Sequence, residues 1–165
     1  MAVRPVVRLP DRVLKRRAGD LGGVSDEELA VDLVDTMRAS PACVGLAAPQ
    51  IGVPKRMFAL DVSEHPKTTT CHGLVVMWDP LIVSSEGREV GREGCMSVPD
   101  LTANVGRAVR IVVSGMTPEG GPRVLETEGF EARAFQHEID HLDGLLILDR
   151  VASLHTDVFR RRTYR

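Results

Sequence analysis

Two histidines and a glutamate near the C-terminal end of the sequence have a spacing that suits a divalent metal. In "FQHEIDHLDG", His137 and His141 stand four residues apart, and Glu138 follows the first of them. On an α-helix this spacing brings both imidazoles to one face, where they can bind the same cation. The glutamate then lies beside the metal as a general base. Taken alone, the segment is also compatible with a polar surface helix that carries two ordinary histidines.

A catalytic metal usually has three protein ligands, so a third ligand must come from elsewhere in the sequence. One metalloprotease pattern requires a histidine where this chain has Ile147, and another requires a later glutamate, but none follows Glu138. The third ligand is therefore expected upstream. The best candidate is Cys95 in "GREGCMSVPD", although Cys43 and Cys71 compete with it. A Cys-His-His site would leave an open position for water, whose pKa the metal lowers toward neutrality.

Composition limits the classes of protein to which the chain can belong. Its length of 165 residues predicts a single catalytic domain over residues 1–165. The net charge of -2 argues against a broad basic surface for nucleic acid, so no specific DNA binding is expected. No apolar run approaches the roughly 20 residues that span a bilayer, and no secretory signal is evident. The chain has three cysteines, an odd number, so a disulfide framework is not expected. The cytoplasm is therefore the predicted compartment.

The elements that must position these side chains are short. A helix is predicted in "SDEELAVDLVDTMRAS", capped by Ser25 and Glu28, followed by a loop in "VGLAAPQIGVP". Strands are predicted in "RMFALDV", "GLVVMW", "VRIVVSG" and "VLETEGF", with a hairpin turn at "TPEGGPR". The metal-binding helix is expected between Gly129 and Gly144, and a short helix in the tail "VASLHTDVFRRRTYR". These elements predict an α+β fold with antiparallel strands packed around a central helix that carries H-E-x-x-H.

Three segments of the chain together resemble the motifs of the peptide deformylases. They are "CVGLAAPQIG" (43–52), "EGCMS" (93–97) and "QHEIDHLDG" (136–144), and they occur in the order and at the spacing of that family. The resemblance implies a metal-dependent hydrolase that removes the N-formyl group from the N-terminal formyl-methionine of newly made polypeptides and releases formate. A non-catalytic peptide-binding paralogue, or a second deformylase copy with altered substrate or inhibitor response, are the alternatives.

The resemblance also implies a role for individual side chains. One divalent metal, characteristically Fe²⁺ with Zn²⁺, Ni²⁺ or Co²⁺ accepted, would be bound by Cys95, His137 and His141. Glu138 would be the general acid and base, and Gln50 with the backbone N–H of Met96 would form the oxyanion hole. A separate hypothesis, based on their position next to the ligands in sequence, is that Asp140 or Gln136 orients one of the histidines. A plain surface role for these two residues is the alternative.

The implied substrate channel is formed by the backbone of Val44, Gly45 and Gly94. Phe130 and Arg133 would shape the methionine pocket and its mouth, as in the organelle-type branch of the family, which also has cysteine at the position of Cys43. For Arg133, an ordinary solvated side chain is the alternative.

The C-terminal tail "FRRRTYR" carries four arginines, Arg160, Arg161, Arg162 and Arg165. They could make a weak electrostatic contact with ribosomal RNA, and a solvated terminus is the alternative. Formyl-methionyl nascent peptides are the expected partners, and no membrane partner is expected.

Overall fold

Two antiparallel sheets and two α-helices make up the computed structural model, which describes residues 2–162. The larger sheet has the order β1-β2-β3-β6-β7, with strands β1 (Gly45–Ala47), β2 (Met57–Leu60), β3 (Val75–Glu86), β6 (Arg110–Met116) and β7 (Pro122–Glu128). The smaller sheet has the order β4-β5-β8, with strands β4 (Glu89–Cys95), β5 (Val98–Arg107) and β8 (Val158–Arg160). The helices are α1 (Glu27–Ala39) and α2 (Gly129–Leu142), with short 3-10 helices at Arg12–Lys15, Ala48–Ile51 and Ile147–Asp149.

Helix α2 packs on the larger sheet through its apolar side and turns its polar side toward the end of β4. Phe135 and Leu142 are fully buried in the main core, where the Phe135 ring meets Phe58 of β2 edge-to-face at 5.7 Å. The opposite side of the helix carries His137 and His141, close to Cys95 at the end of β4. The predicted fold class, antiparallel strands around a central helix with H-E-x-x-H, is therefore confirmed.

The two longer predicted helices form, and one of them begins at a different cap. The N-cap of α1 is Asp26, whose carboxylate accepts the Leu29 backbone N–H at 3.0 Å and pairs with Lys55 at 2.7 Å. The predicted cap at Ser25 is therefore wrong by one residue. Helix α2 ends as expected, because Gly144 has a left-handed φ of 77° and donates its N–H to the His141 carbonyl at 3.2 Å.

Two segments differ from their prediction because pairing with distant strands decides their conformation. The predicted loop "VGLAAPQIGVP" contains β1, which pairs with β2, and then the 3-10 helix Ala48–Ile51. The tail forms strand β8 instead of a helix, since β5 supplies its hydrogen-bond partners at Leu101–Ala103. Arg165 of the tail lies outside the described residues. Within residues 2–162, α1 with 13 residues and α2 with 14 are both too short and too polar to cross a membrane.

Helix α1 contributes a second core that can be tested by truncating one side chain. Leu33 of α1 is fully buried in a core cluster with residues of β1 and β2. We therefore expect Leu33→Ala to lower the free energy of unfolding by about 2–5 kcal/mol. Val31, on the same helix, is 44% exposed, and Val31→Ala should change stability by less than about 0.5 kcal/mol. Urea unfolding of both variants checks the assignment, and equal losses of stability would contradict it.

Candidate metal centre

Three side chains from two separate elements converge on one point. The Sγ of Cys95 lies 3.4 Å from Nε2 of His141, which lies 3.3 Å from Nε2 of His137. All three ligand atoms are within 4.8 Å of one another, and among residues 2–162 no other cluster of this kind is found. Of the three cysteines that the sequence offered, the structure places Cys95 in the cluster. One thiolate and two imidazole nitrogens make a donor set that fits a divalent transition metal.

The remaining two cysteines have other environments. Cys43 donates its thiol hydrogen to the Gly45 carbonyl at 3.1 Å, and burial together with the charge of Glu138 raises the pKa of the Cys43 thiol to about 12. Cys43 therefore lines the pocket beside the cluster as a small neutral group. Cys71 is exposed in the loop before β3.

The local backbone explains how Cys95 reaches the helix. Strands β4 and β5 form a tight hairpin whose register shifts between Gly94 and Cys95, where Cys95 pairs with Val98 while Gly94 pairs with Thr102. Such an irregularity re-aims a side chain at the end of a strand. Here it places the sulfur above the histidine face of α2.

The charges in the cluster favour an ionised thiol. Burial opposes ionisation of Cys95, but the two histidines outweigh it and hold the pKa of the thiol well below its usual range. Burial likewise opposes a charge on His137, but hydrogen bonds to Cys95 and Glu93 raise the pKa of His137 well above its usual range. The protein therefore presents a thiolate at this point, which is the form that binds metals.

Glu93 orients His137, a role that the sequence analysis did not assign to it. Its Oε1 accepts from Nδ1 of His137 at 2.9 Å, which leaves Nε2 of that ring free to face the other ligands. Glu93 is 7% exposed, and it also binds Arg107 at 2.9 and 3.0 Å and Arg133 at 2.7 Å. Burial raises the pKa of Glu93, but His137 and Arg107 outweigh it and bring the net pKa below its usual range. A carboxylate behind a metal-binding histidine fixes the ring and its tautomer.

The hypothesis that Asp140 or Gln136 orients a ligand histidine is wrong. Asp140 pairs with Arg107 and is held by Arg150 at 2.7 and 3.0 Å. Gln136 binds the backbone N–H and C=O of Ala108 at 2.9 and 3.0 Å. Both side chains are therefore held by groups other than the two ligand histidines.

Glu138 lies beside the cluster in a closed environment. Its side chain is 4% exposed, and its Oε2 has no hydrogen-bond partner among residues 2–162. Burial raises the pKa of Glu138 above its usual range, although the neighbouring histidines oppose that rise. A Cβ at Gly45 would lie only 2.7 Å from Oε1 of Glu138. Glycine is therefore needed where β1 passes the carboxylate.

Gln50 approaches the cluster from the 3-10 helix after β1. Its Oε1 accepts the Ala47 backbone N–H at 3.0 Å, which aims Nε2 toward Cys95 Sγ at 3.7 Å and Ser97 Oγ at 3.2 Å. The side chain is 2% exposed, so its orientation is held by packing as well as by these contacts. The amide hydrogens consequently point toward the Cys95 sulfur and the Ser97 hydroxyl, next to the cluster.

A pocket of about 360 Å³ opens next to the cluster. The remaining predicted residues line it: Val44, Gly45, Gly94, Met96, Phe130 and Arg133. His65, which the sequence did not single out, stacks on the Phe130 ring with centroids 3.9 Å apart. Arg133 is already engaged, because its guanidinium donates to Glu93 and to the carbonyls of Val105 and Glu89 at 2.8 Å.

Comparison with known proteins agrees with this site. The model of the polypeptide deformylase family matches residues 3–157. A peptide deformylase of Desulforudis audaxviator is 46% identical over 158 residues, which cover 94% of this chain and 97% of the relative. The peptide deformylase of Acinetobacter baumannii, solved with Met-Ala-Ser bound, has a TM-score of 0.83 and 32% identity over 91% of this chain and 99% of its own. That of Ehrlichia chaffeensis has a TM-score of 0.85 and 30% identity over 93% and 90%.

The role of Glu93 can be tested through metal affinity. We expect Glu93→Gln to weaken metal binding about 10- to 100-fold, because the amide no longer holds His137 with a full negative charge. In this variant Arg107 still pairs with Asp140, and Arg133 still donates to two backbone carbonyls, so the fold should persist. Glu89→Gln, an exposed change on the same strand, is the matched control. Competition with a chromogenic chelator measures both, and equal affinities would contradict the assignment.

Proposed function

The chain belongs to the polypeptide deformylase family, and we propose that its Cys-His-His centre is where it removes the N-formyl group from the N-terminal formyl-methionine of newly made polypeptides. The chain is thus a hydrolase that releases formate. The observation that carries the placement of the reaction is the convergence of Cys95, His137 and His141 beside a buried carboxylate in a pocket. Every side chain that the family resemblance assigns to the reaction is present in the sequence, and nothing favours a non-catalytic paralogue.

We propose Fe²⁺ as the bound ion, and the same three donors also suit Zn²⁺, Ni²⁺ or Co²⁺. A divalent metal held by Cys95, His137 and His141 would activate a water molecule and polarise the formyl oxygen. The contribution of the chain to this is the thiolate, the fixed tautomer of His137 and the exclusion of bulk water.

Glu138 is proposed as the general base and acid. Burial raises the pKa of its carboxyl group toward the working pH, where a group transfers protons most effectively in both directions. Its Oε2 is without a partner among the described residues and can accept a proton from the attacking water. The same oxygen can then return that proton to the leaving amine.

The oxyanion hole is proposed to consist of the Gln50 amide and the backbone N–H of Met96. The Gln50 amide is aimed before any substrate arrives, because Ala47 holds the other end of the group. Preorganised donors of this kind stabilise charge that develops on a carbonyl oxygen without reorganising during the reaction.

The pocket accounts for an extended peptide substrate. Strands β1 and β4 are both at the edges of their sheets, and both line the pocket, so an extended chain can lie between them. Glycine at 45 and 94 would let the peptide backbone approach closely. The methionine side chain would occupy the apolar part of the pocket beside Val44 and Phe130.

Domain organisation, compartment and partners follow as further proposals. Residues 1–165 would act as one catalytic domain, because the site needs side chains from the 3-10 helix after β1, from β4 and from α2. An exposed free thiol at Cys71 and a thiolate ligand suit the reducing cytoplasm, where nascent chains are made. The exposed arginines of the tail would make at most a weak contact with the ribosome.

The first experiment measures formate release from formyl-Met-Ala-Ser by protein prepared without oxygen and loaded with Fe²⁺. Substituting Glu138→Ala should lower kcat by about 10²- to 10⁴-fold, because it removes the proton-transfer group. The exposed change Glu126→Ala should leave kcat unaltered. Metal analysis must show one ion per chain in each protein. Turnover by Glu138→Ala at the rate of the unmodified protein would show that Glu138 is not the general base.

A second variant distinguishes the role of the Gln50 amide oxygen, which accepts from Ala47, from that of its NH₂ group, which faces the cluster. Gln50→Glu keeps an oxygen that can accept the Ala47 N–H but replaces the donor with a negative charge. We expect kcat to fall about 10²- to 10³-fold, since removing one oxyanion-hole donor typically costs that much. Urea unfolding shows whether the fold is intact. Activity within threefold of the unmodified protein would exclude Gln50 from the oxyanion hole.

A further inference from the structure

The C-terminal strand brings an arginine to the substrate pocket. After β8 ends, the Arg161 backbone N–H donates to the Asp100 carbonyl at 2.8 Å, which continues the pairing with β5. From there the Arg161 side chain crosses the smaller sheet, and a Cβ built on Gly94 would overlap its Nη2 atom. Arg161 therefore lines the same pocket as Glu138 and Cys95, although it is far from them in sequence.

Glycine at position 94 is what lets the guanidinium reach the pocket. Gly94, Thr102 and Phe159 are neighbours across β4, β5 and β8 by the strand register. Gly94 has no side chain on this face, so the Arg161 side chain can lie over it. Phe159 supports a second cation, because the Arg92 guanidinium stacks on its ring at 3.6 Å.

The exposed charged side chains that line the pocket are all positive. Lys67, Arg92 and Arg161 are exposed at its rim, whereas the two carboxylates that line it, Glu93 and Glu138, are buried. Arg92 is held by Asn104 and Phe159. Within residues 2–162 the Arg161 guanidinium has no ion pair in the structure. A positive rim on a chain with a net charge of -2 is a local feature and not a consequence of overall composition.

We propose that Arg161 is a specificity-determining residue that favours substrates with aspartate or glutamate in the first two positions after formyl-methionine. This rests on the proposed function of the same site. A peptide in extended conformation advances about 3.3 Å per residue, so its second and third residues leave the metal along β4 and pass the guanidinium over Gly94. Arg161 would act on binding and not on the reacting bond, so its effect should appear in KM while kcat stays within about twofold.

The test compares pairs of amidated peptides that differ by one charged side chain. The pairs are formyl-Met-Asp-Ala-amide with formyl-Met-Lys-Ala-amide, and formyl-Met-Ala-Asp-amide with formyl-Met-Ala-Lys-amide. At low salt the unmodified enzyme should prefer the acidic member of at least one pair by about fivefold in kcat/KM, as expected for an exposed ion pair. The preference should shrink in about 1 M salt, where the Debye length is about 3 Å.

The matched pair Arg161→Glu and Arg160→Glu, which change the net charge equally, makes the test specific, and Arg161→Ala removes the charge alone. Arg161→Glu should reverse the preference, and Arg161→Ala should reduce it to below about twofold. Arg160→Glu should leave it unaltered, because Arg160 does not line the pocket. If Arg161→Glu and Arg160→Glu show the same preference as the unmodified enzyme, the proposal is overturned. It is equally overturned if Arg161→Glu weakens binding to ribosomes but leaves peptide preference unchanged.

Failure of the proposed function would be visible separately. If the metal-loaded protein releases formate from none of the peptides, deformylation at this site is refuted. Calorimetric binding of Met-Asp-Ala-amide and Met-Lys-Ala-amide then tests Arg161 without turnover. Tighter binding of the acidic peptide, lost in Arg161→Glu, supports the proposal, and equal binding of the two peptides overturns it.

Discussion

The hydrogen bond between Glu93 and His137 is the interaction on which the rest of the site depends. It joins β4 to α2, so it holds the strand that ends in Cys95 against the helix that carries the other ligands. Burying a carboxylate costs several kcal/mol unless charged partners surround it, and Arg107 and Arg133 supply them. The smaller sheet is therefore fixed to α2 by charge, while the larger sheet is fixed to the same helix by apolar packing.

This division explains which parts of the fold the sequence predicts. Helix α2 is local: its histidine spacing, its apolar residues and the glycine after its end all lie within one short segment. The fold class and the family follow from that segment and the two other motifs, and both predictions are confirmed. The structure brings Cys95 to His137 and His141, while the roles assigned to Glu138, Gln50 and the pocket residues stay predictions that the variants above would test.

The features that the sequence does not reveal all depend on contacts between distant residues. Glu93 looks like one more charge in an exposed strand until Arg107, His137 and Arg133 surround it. The tail has the composition of a polar terminus, but pairing with β5 turns it into a strand and carries Arg161 to the pocket. Helix and strand propensities describe a residue and its neighbours, so they do not report such pairings.

The arrangement of the two sheets leaves space for one extended chain between β1 and β4. Each of these strands pairs on one side only, and the unpaired N–H and C=O groups of such an edge can pair with a strand of another chain. Gly45 lies against Glu138, and Gly94 lies under Arg161, so both edges place a glycine where a side chain would close the gap. The exposed cations at the rim repel other basic surfaces, and on the proposal for Arg161 they would favour a peptide with negative charge. The fold thus keeps two edges unpaired at the place where a metal, a buried carboxylate and an amide donor would meet the first peptide unit of the substrate.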